Sequence, residues 1–330
     1  MTGLDSTKWK DHTTSRGVNY RYYFSPPSSP AKLTLLFVHG FPSYATDWVN
    51  VSRPLEKLGY GIVIPDMFGY GGTDKPVDPA QYRLKLLNQD LVDLLDKEGV
   101  NGAIAVGHDW GSITVSRLAC HFPERFVAFA HLAVPFVAPD PEADLAKTVA
   151  LMTSVLGYNP YGYWGFFNED DAADVIAQHP TVWKDKVCPP GVVRQALLED
   201  YIPPAGTASF ISEQEIKEIT ERFRRDGLGG PLCYYKCEVR GLNRPDDATL
   251  PLERRLPPVT TPVFFGVGQS DVICTPTLGR VVFASEPFKQ HKITIKEFDG
   301  DHWFIISNGE DIARELDAWV AGVVVAGLKA

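Results

Sequence analysis

Between a short apolar run, Ile104 to Val106, and a helical pattern stands Gly107-His108-Asp109-Trp110-Gly111, and nothing else in the chain restricts its fold as much. Glycines two before and two after a central residue permit a strained turn in which a strand and the following helix approach closely. Such a turn lifts the central side chain out at the end of the strand, so Asp109 is expected to be presented to whatever lies above it. The plainer reading is a strand end whose Asp caps the next helix, a favoured task for that residue type. The rest of the chain has to decide between the two.

The same alternation of strand run and helix recurs. Leu33 to Val38 runs into His39-Gly40, Gly61 to Ile64 into Pro65-Asp66, and Phe126 to Leu132 reads as a further central strand. Leu87, Leu91, Leu94 and Leu95 recur at helical spacing before Gly99, as a crossover helix should. Val18 to Phe24, after the Ser15-Arg16-Gly17 turn, looks like one arm of an antiparallel edge hairpin. The pattern returns with Val263 to Val267, Ile293 to Phe298 and a closing helix from about Gly309. The expected class is α/β, with a mostly parallel central sheet flanked by helices. From about Val137 to Leu256 Pro and Gly punctuate the chain, aromatics cluster and only helical segments are recognisable, one of them opened by a Ser212/Glu215 capping box ahead of Ile216, Ile219 and Phe223. Residues 137–256 are therefore expected to form an inserted helical lid, and residues 1–136 and 257–330 the two parts of one core.

Composition removes several function classes. With 330 residues, 44% apolar and 22% charged, the chain has ordinary globular usage. A formal net charge of -9 with scattered Lys and Arg argues against binding nucleic acid or anionic membrane. The short Arg222-Phe223-Arg224-Arg225 cluster reads as a cationic helix end. Five cysteines, Cys120, Cys188, Cys233, Cys237 and Cys274, are odd in number and lack metal-type spacing, which suggests a reducing compartment. Met1 to Gly17 is polar, Ala321 to Leu328 is too short to span a bilayer and the final Gly-Leu-Lys-Ala is not a peroxisomal signal, so a cytoplasmic location is expected. Phe68-Gly69-Tyr70-Gly71-Gly72 lacks the Lys-Ser/Thr of a phosphate loop and no His-Glu-x-x-His pair occurs, so neither cofactor nor metal is implied.

The chemistry follows from an acid standing where a turn of this form usually carries Ser. A serine alkoxide attacks acyl carbon, whereas a carboxylate suits displacement at a saturated carbon with a strained or good leaving group, giving an alkyl ester on the enzyme. Cleaving that ester requires a base and its orienting acid. His302 in Asp301-His302-Trp303 and Asp271 in Gly268-Gln269-Ser270-Asp271 each follow a strand pattern, in the acid-then-His order such turns require. Backbone donors for the oxyanion are expected from Trp110, after the nucleophile, and Phe41, in His39-Gly40-Phe41-Pro42. Ser112 falls inside the helix beyond the turn and reads as structural, and nothing around Cys274 suggests a thiolate.

Through His39-Gly40-Phe41-Pro42, the Gly107 to Gly111 turn, Asp271 and Asp301-His302-Trp303, the chain resembles the soluble-type epoxide hydrolases of the α/β-hydrolase superfamily over nearly its whole length. That resemblance implies the α/β-hydrolase fold, an epoxide and water as partners, and two lid tyrosines that donate hydrogen bonds to the epoxide oxygen. Asn159-Pro160-Tyr161-Gly162-Tyr163 implies Tyr163, and Gly230-Pro231-Leu232-Cys233-Tyr234-Tyr235 implies Tyr235, with Tyr161 and Tyr234 leaving the register open. A phenol can donate while neutral at pH 7, which suits it to an alkoxide leaving group. Phe41, Trp110, Phe136, Trp164, Tyr234 and Trp303, with Phe166 and Phe167, could line an aromatic pocket for a lipophilic, aromatic epoxide; packing explains the same rings. A haloalkane-type dehalogenase is the chief rival, since it too attacks with an elbow Asp; there the position of Phe41 is commonly Asn or Glu. A fluoroacetate-type dehalogenase carries Arg where Trp110 stands. A receptor of the same fold without catalysis is the third reading.

Overall fold

The computed structural model describes residues 3–179, 193–199 and 213–329; Ser212 and Cys188 lie outside them. Eight strands form one sheet in the order β1-β2-β4-β3-β5-β6-β7-β8: Trp9–Thr13, Asn19–Ser25, Thr34–Val38 (β3), Gly61–Pro65 (β4), Ala103–His108 (β5), Phe126–Leu132 (β6), Val263–Gly268 (β7) and Ile293–Phe298 (β8). β1 and β2 are antiparallel at one edge and β4, β3, β5, β6, β7 and β8 run parallel. The edge strand β1, Trp-Lys-Asp-His-Thr, is the other hairpin arm and carries no apolar run. Half of such an edge faces water, so its residues can stay polar.

The central strands are buried on both faces, and their alternate residues supply two separate apolar clusters. Leu35, Phe37, Ile62, Ile64, Ile104 and Val106 meet α1 (Val49–Lys57) and α13 (Gly309–Trp319). Leu36, Val38, Val63, Ala105 and Phe129 meet α2 (Leu84–Lys97) and α3 (Trp110–His121) on the opposite face. The closing helix begins at Gly309, where the sequence placed it. Crossover helices cover a parallel sheet on both faces when its strands can be buried on both sides, and β3 to β7 are buried along almost their whole length, with Thr34, His108 and His131 the polar exceptions in composition.

Between β6 and β7 the described residues hold helices and no strand: α4 (Leu145–Leu156), α5 (Gly162–Phe167), α6 (Ala172–Gln178), α7 (Val193–Leu198), α8 (Glu213–Asp226), α9 (Gly229–Val239) and α10 (Arg244–Ala248). Phe166, Phe167, Leu232 and Tyr235 from this insertion share the α2/α3 cluster, so the insertion is packed onto the core by apolar burial. After β7 come α11 (Pro276–Ala284) and α12 (Phe304–Ser307). The parallel strands end together beneath the insertion, and the loops leaving β3, β5, β7 and β8 carry Phe41, Asp109, Asp271 and His302. In open α/β sheets that carboxyl edge is where ligands bind.

Candidate active site

Asp109 joins β5 to α3 with φ 55 and ψ -123, left-handed backbone that costs a non-glycine residue about 1–3 kcal/mol. The turn is crowded by close packing on β3: a Cβ at Gly111 would lie 1.9 Å from the Val38 carbonyl oxygen. The Asp109 side chain makes no capping bond to α3, which decides against the plain helix-cap reading. Its Oδ1 accepts from the Phe41 amide at 2.8 Å, and its Oδ2 lies 3.3 Å from His302 Nε2. The strained turn therefore presents the carboxylate to a donor on each side.

His302 is held from behind. Its Nδ1–H donates to Asp271 Oδ2 at 2.8 Å, while Asp271 Oδ1 accepts the amides of Ile273 (2.9 Å) and Cys274 (2.8 Å). Ser270 and Gln269 amides donate to the carbonyls of Gly300 and Phe298, tying the two loops together. His108 Nε2–H donates to the His302 carbonyl at 2.8 Å, and burial, with the His302 charge second, pulls the His108 imidazole down to about 4. It is thus a neutral strut under the loop of His302. No sequence pattern marks it as such, because it looks like the last residue of a buried strand.

The charges follow the contacts. Burial opposes charge on His302, yet the Asp271 carboxylate and the hydrogen bonds to Asp109 and Asp271 prevail and hold its pKa well above the ordinary histidine value. Burial would likewise raise Asp109, but the His302 hydrogen bond and charge outweigh it and keep the carboxyl below its usual range; Asp271 is lowered for the same reason. The resting pair is a carboxylate facing an imidazolium. Cys274 is drawn into the group by folding: burial and the Asp271 charge push its thiol up to about 12, so it stays protonated. Among the described residues Asp271, Cys274 and His302 bring an oxygen, a sulfur and a nitrogen within 4.8 Å of one another, but two of those groups already bond to each other and the thiol keeps its proton.

The loop after β3 is fixed by its own imidazole. His39 Nδ1–H donates to the Gly40 carbonyl and Nε2 accepts the Met67 amide, both at 2.9 Å. A Cβ at Gly40 would lie 2.4 Å from Asp109 Oδ1 and 2.7 Å from the Trp110 amide nitrogen, so only glycine leaves that space open. Trp110 opens α3, and the first amides of a helix have no acceptor within it. Phe41 and Trp110 thus bring two backbone N–H groups beside one carboxylate.

Above the carboxylate the insertion supplies rings. Tyr235 packs against Phe167 (ring centroids 4.8 Å apart), Trp110 (5.0 Å), Phe41 (5.1 Å), Trp164 (5.4 Å) and Tyr163 (5.8 Å). Trp110 from the core and Trp164 from the insertion stack at 5.4 Å and 30°. Burial raises the pKa of both phenols, and the charge of Asp109 adds to it, so Tyr163 and Tyr235 keep their protons. Trp303 stands edge-on to His302 at 5.3 Å. Tyr234 lies 5.8 Å from the Trp110 ring, but its hydroxyl donates to the Phe68 carbonyl at 3.1 Å and its ring also packs among Tyr70 and Tyr82, because consecutive helical residues face different ways. Phe136 packs on His131 and Phe288, under the start of the insertion.

The α/β hydrolase fold family matches residues 34–308 of the chain. The chain is 31% identical over 261 residues to epoxide hydrolase A of Mycobacterium tuberculosis (strain ATCC 25618 / H37Rv), covering 74% of this chain and 78% of that protein. It is 29% identical over 247 residues to epoxide hydrolase 3 of Siraitia grosvenorii, covering 72% and 74%. With the bifunctional epoxide hydrolase 2 of Mus musculus it shares 26% over 318 residues, 89% of this chain but 52% of the mouse protein, so it spans about half of that relative. The crystal structure of epoxide hydrolase A from Mycobacterium thermoresistibile aligns with a TM-score of 0.75 at 22% identity, covering 97% and 99%. At that identity the likeness shows the fold.

Proposed function

The chain belongs to the α/β-hydrolase fold family and to the epoxide hydrolases within it, and on that premise we propose that it opens a lipophilic epoxide to a vicinal diol through an ester on Asp109. One observation carries the reading: the Asp109 carboxylate stands between the Phe41 amide and an imidazole that Asp271 orients. The described helices between β6 and β7 act as a lid whose aromatic rings enclose the site.

In the first step a carboxylate oxygen of Asp109 attacks a ring carbon, the carbon–oxygen bond of the epoxide breaks, and Tyr235 or Tyr163 gives its proton to the alkoxide. Forming the ester removes the charge on Asp109. One of the groups holding His302 protonated is then gone, its pKa falls toward the range of a general base, and its proton goes to the phenolate that ring opening left. His302 next takes a proton from water, whose oxygen attacks the ester carbonyl, and the oxyanion receives the amides of Phe41 and Trp110. On collapse the imidazolium proton goes to the departing alkoxide. The proton of the new carboxylic acid passes to His302, which restores the carboxylate–imidazolium pair, so enzyme and diol leave balanced.

The ring wall around Tyr235 favours an aryl or otherwise lipophilic epoxide. Cys120, Cys233, Cys237 and Cys274 are free thiols, which agrees with a cytoplasmic setting, and no helix among the described residues is long and apolar enough to cross a membrane. A second reading, displacement of halide from an alkyl halide by Asp109, draws on Trp164, a ring beside Trp110 and Tyr235 whose buried indole N–H can donate to a leaving halide. The test is one turnover of an aryl epoxide in ¹⁸O-water. The new diol oxygen comes unlabelled from Asp109; label in the first-turnover product would mean direct attack by water. The same assay run on an alkyl bromide reads bromide release.

A further inference from the structure

Where the chain leaves the core for the helical insertion and where it returns, both crossings meet one buried side chain. Arg117 lies on α3, the helix that begins beside Asp109, and its Nη1 donates to the carbonyl of Val137 at the first crossing, 2.6 Å away. Its Nε and Nη2 donate to the two carboxylate oxygens of Asp247, on α10 at the second crossing, at 3.0 and 2.9 Å. Asp247 Oδ2 in turn accepts the amide of Asp140 at 3.1 Å, so the carboxylate also reaches the outgoing segment. Ser116 Oγ accepts the Val137 amide at 3.0 Å. Both charged side chains are only 4% exposed.

We propose that Arg117 is a positioning residue: with Asp247 it clasps both ends of the insertion to the nucleophile's own helix and thereby sets where Tyr163 and Tyr235 stand over Asp109. The clasp rests on the ester reading above. A guanidinium bonded through two nitrogens to one carboxylate fixes a plane as well as a distance, which a single hydrogen bond does not. A buried ion pair is a poor source of net stability, since an apolar pair of similar volume often does as well or better. What the pair supplies here is registry, because its hydrogen bonds reach both crossings. Other ties at the return hold that end only: Arg83 to Asp246 and the Leu84 amide to Asn243 at the start of α2, and Arg254 to the His121 carbonyl at the end of α3.

The phenols act only when the ring opens, and His302 with Asp271 acts only when the ester is cleaved. A displaced lid therefore slows the first step selectively, and a misplacement of about 1 Å can cost about a hundredfold. The test compares Asp247→Asn, Arg117→Lys and the apolar pair Arg117→Met/Asp247→Leu with the unaltered chain, using styrene oxide. Single-turnover rates of ester formation and ester cleavage are read beside the circular dichroism of the Trp110–Trp164 stack, which joins core to insertion. In the two single variants ester formation should slow about tenfold or more, with cleavage within about twofold and a weakened indole signal. The apolar pair should regain the melting temperature and not the rate of ester formation. Equal slowing of both steps, unchanged ester formation in folded variants, or full rescue by the apolar pair would each overturn the clasp. An unaltered chain that forms no ester would strike the reading of Asp109 instead, and the indole signal would still decide whether Arg117 sets the lid.

Discussion

Asp109, Asp271 and His302 are joined by polar contacts of 2.8 to 3.3 Å on loops that leave parallel strands, whereas Tyr163 and Tyr235 are surrounded by rings on helices of the insertion. The lower half is thus set by directional bonds on a rigid sheet edge. The upper half is set by ring packing, which tolerates small rotations, and by ties at the two crossings. On the proposed mechanism Asp109 serves both chemical steps, while His302 with Asp271 serves ester cleavage and the phenols of the insertion serve ring opening. Changes at the phenols, or at His302 and Asp271, should leave the other step largely alone.

The largest expected effect lies below. His302→Gln should slow ester cleavage by about a thousandfold while the ester still forms, visible as added protein mass of one substrate. Rapid release in that variant would remove His302 from the step and blur the division. Above, Tyr235→Phe should slow ester formation by about a hundredfold and Tyr163→Phe should act on the same step, both leaving cleavage of the trapped ester unchanged. Equal loss in both steps would show that the halves are not separable.

The smallest effect concerns pH. Because the folded protein holds His302 above its ordinary 6.5, the stability this gives is full below that value and is lost as pH rises through the folded value. Asp109 is lowered, so its own share is lost only on the acid side. Asp109→Asn removes one of the partners that raise His302. The melting-temperature advantage of the unaltered chain over this variant should therefore shrink as pH rises from about 6 into the alkaline range. A difference flat across that window would mean that Asp109 does not support the imidazolium.

The lower half was also the legible half. Its residues sit at strand ends, where a short β-rich run stops at Gly or Asp, and β6 and β8 have the bounds that those runs suggest. Asp109, Asp271 and His302 could be found because each follows such a run. The insertion offered no comparable ruler. Tyr234 and Tyr235 are adjacent on α9, and only packing tells which of them faces Asp109. Phe136 looked like a wall residue because it is aromatic and lies near the crossing, but the chain turns it toward Phe288. Arg117 and Asp247 are far apart in sequence and neither has a local signal, so their pairing is written only in the tertiary structure.

The seat of Asp109 is made of main chain. Neither Gly40 nor Gly111 can gain so much as a methyl group without meeting the carbonyl of Val38 or the carboxylate itself, while the tip of residue 109 projects into the site. Such a mount accepts a change of tool but not of fitting. Replacing that one tip by a hydroxyl or a thiol would leave the amides, the imidazole and its acid where they stand.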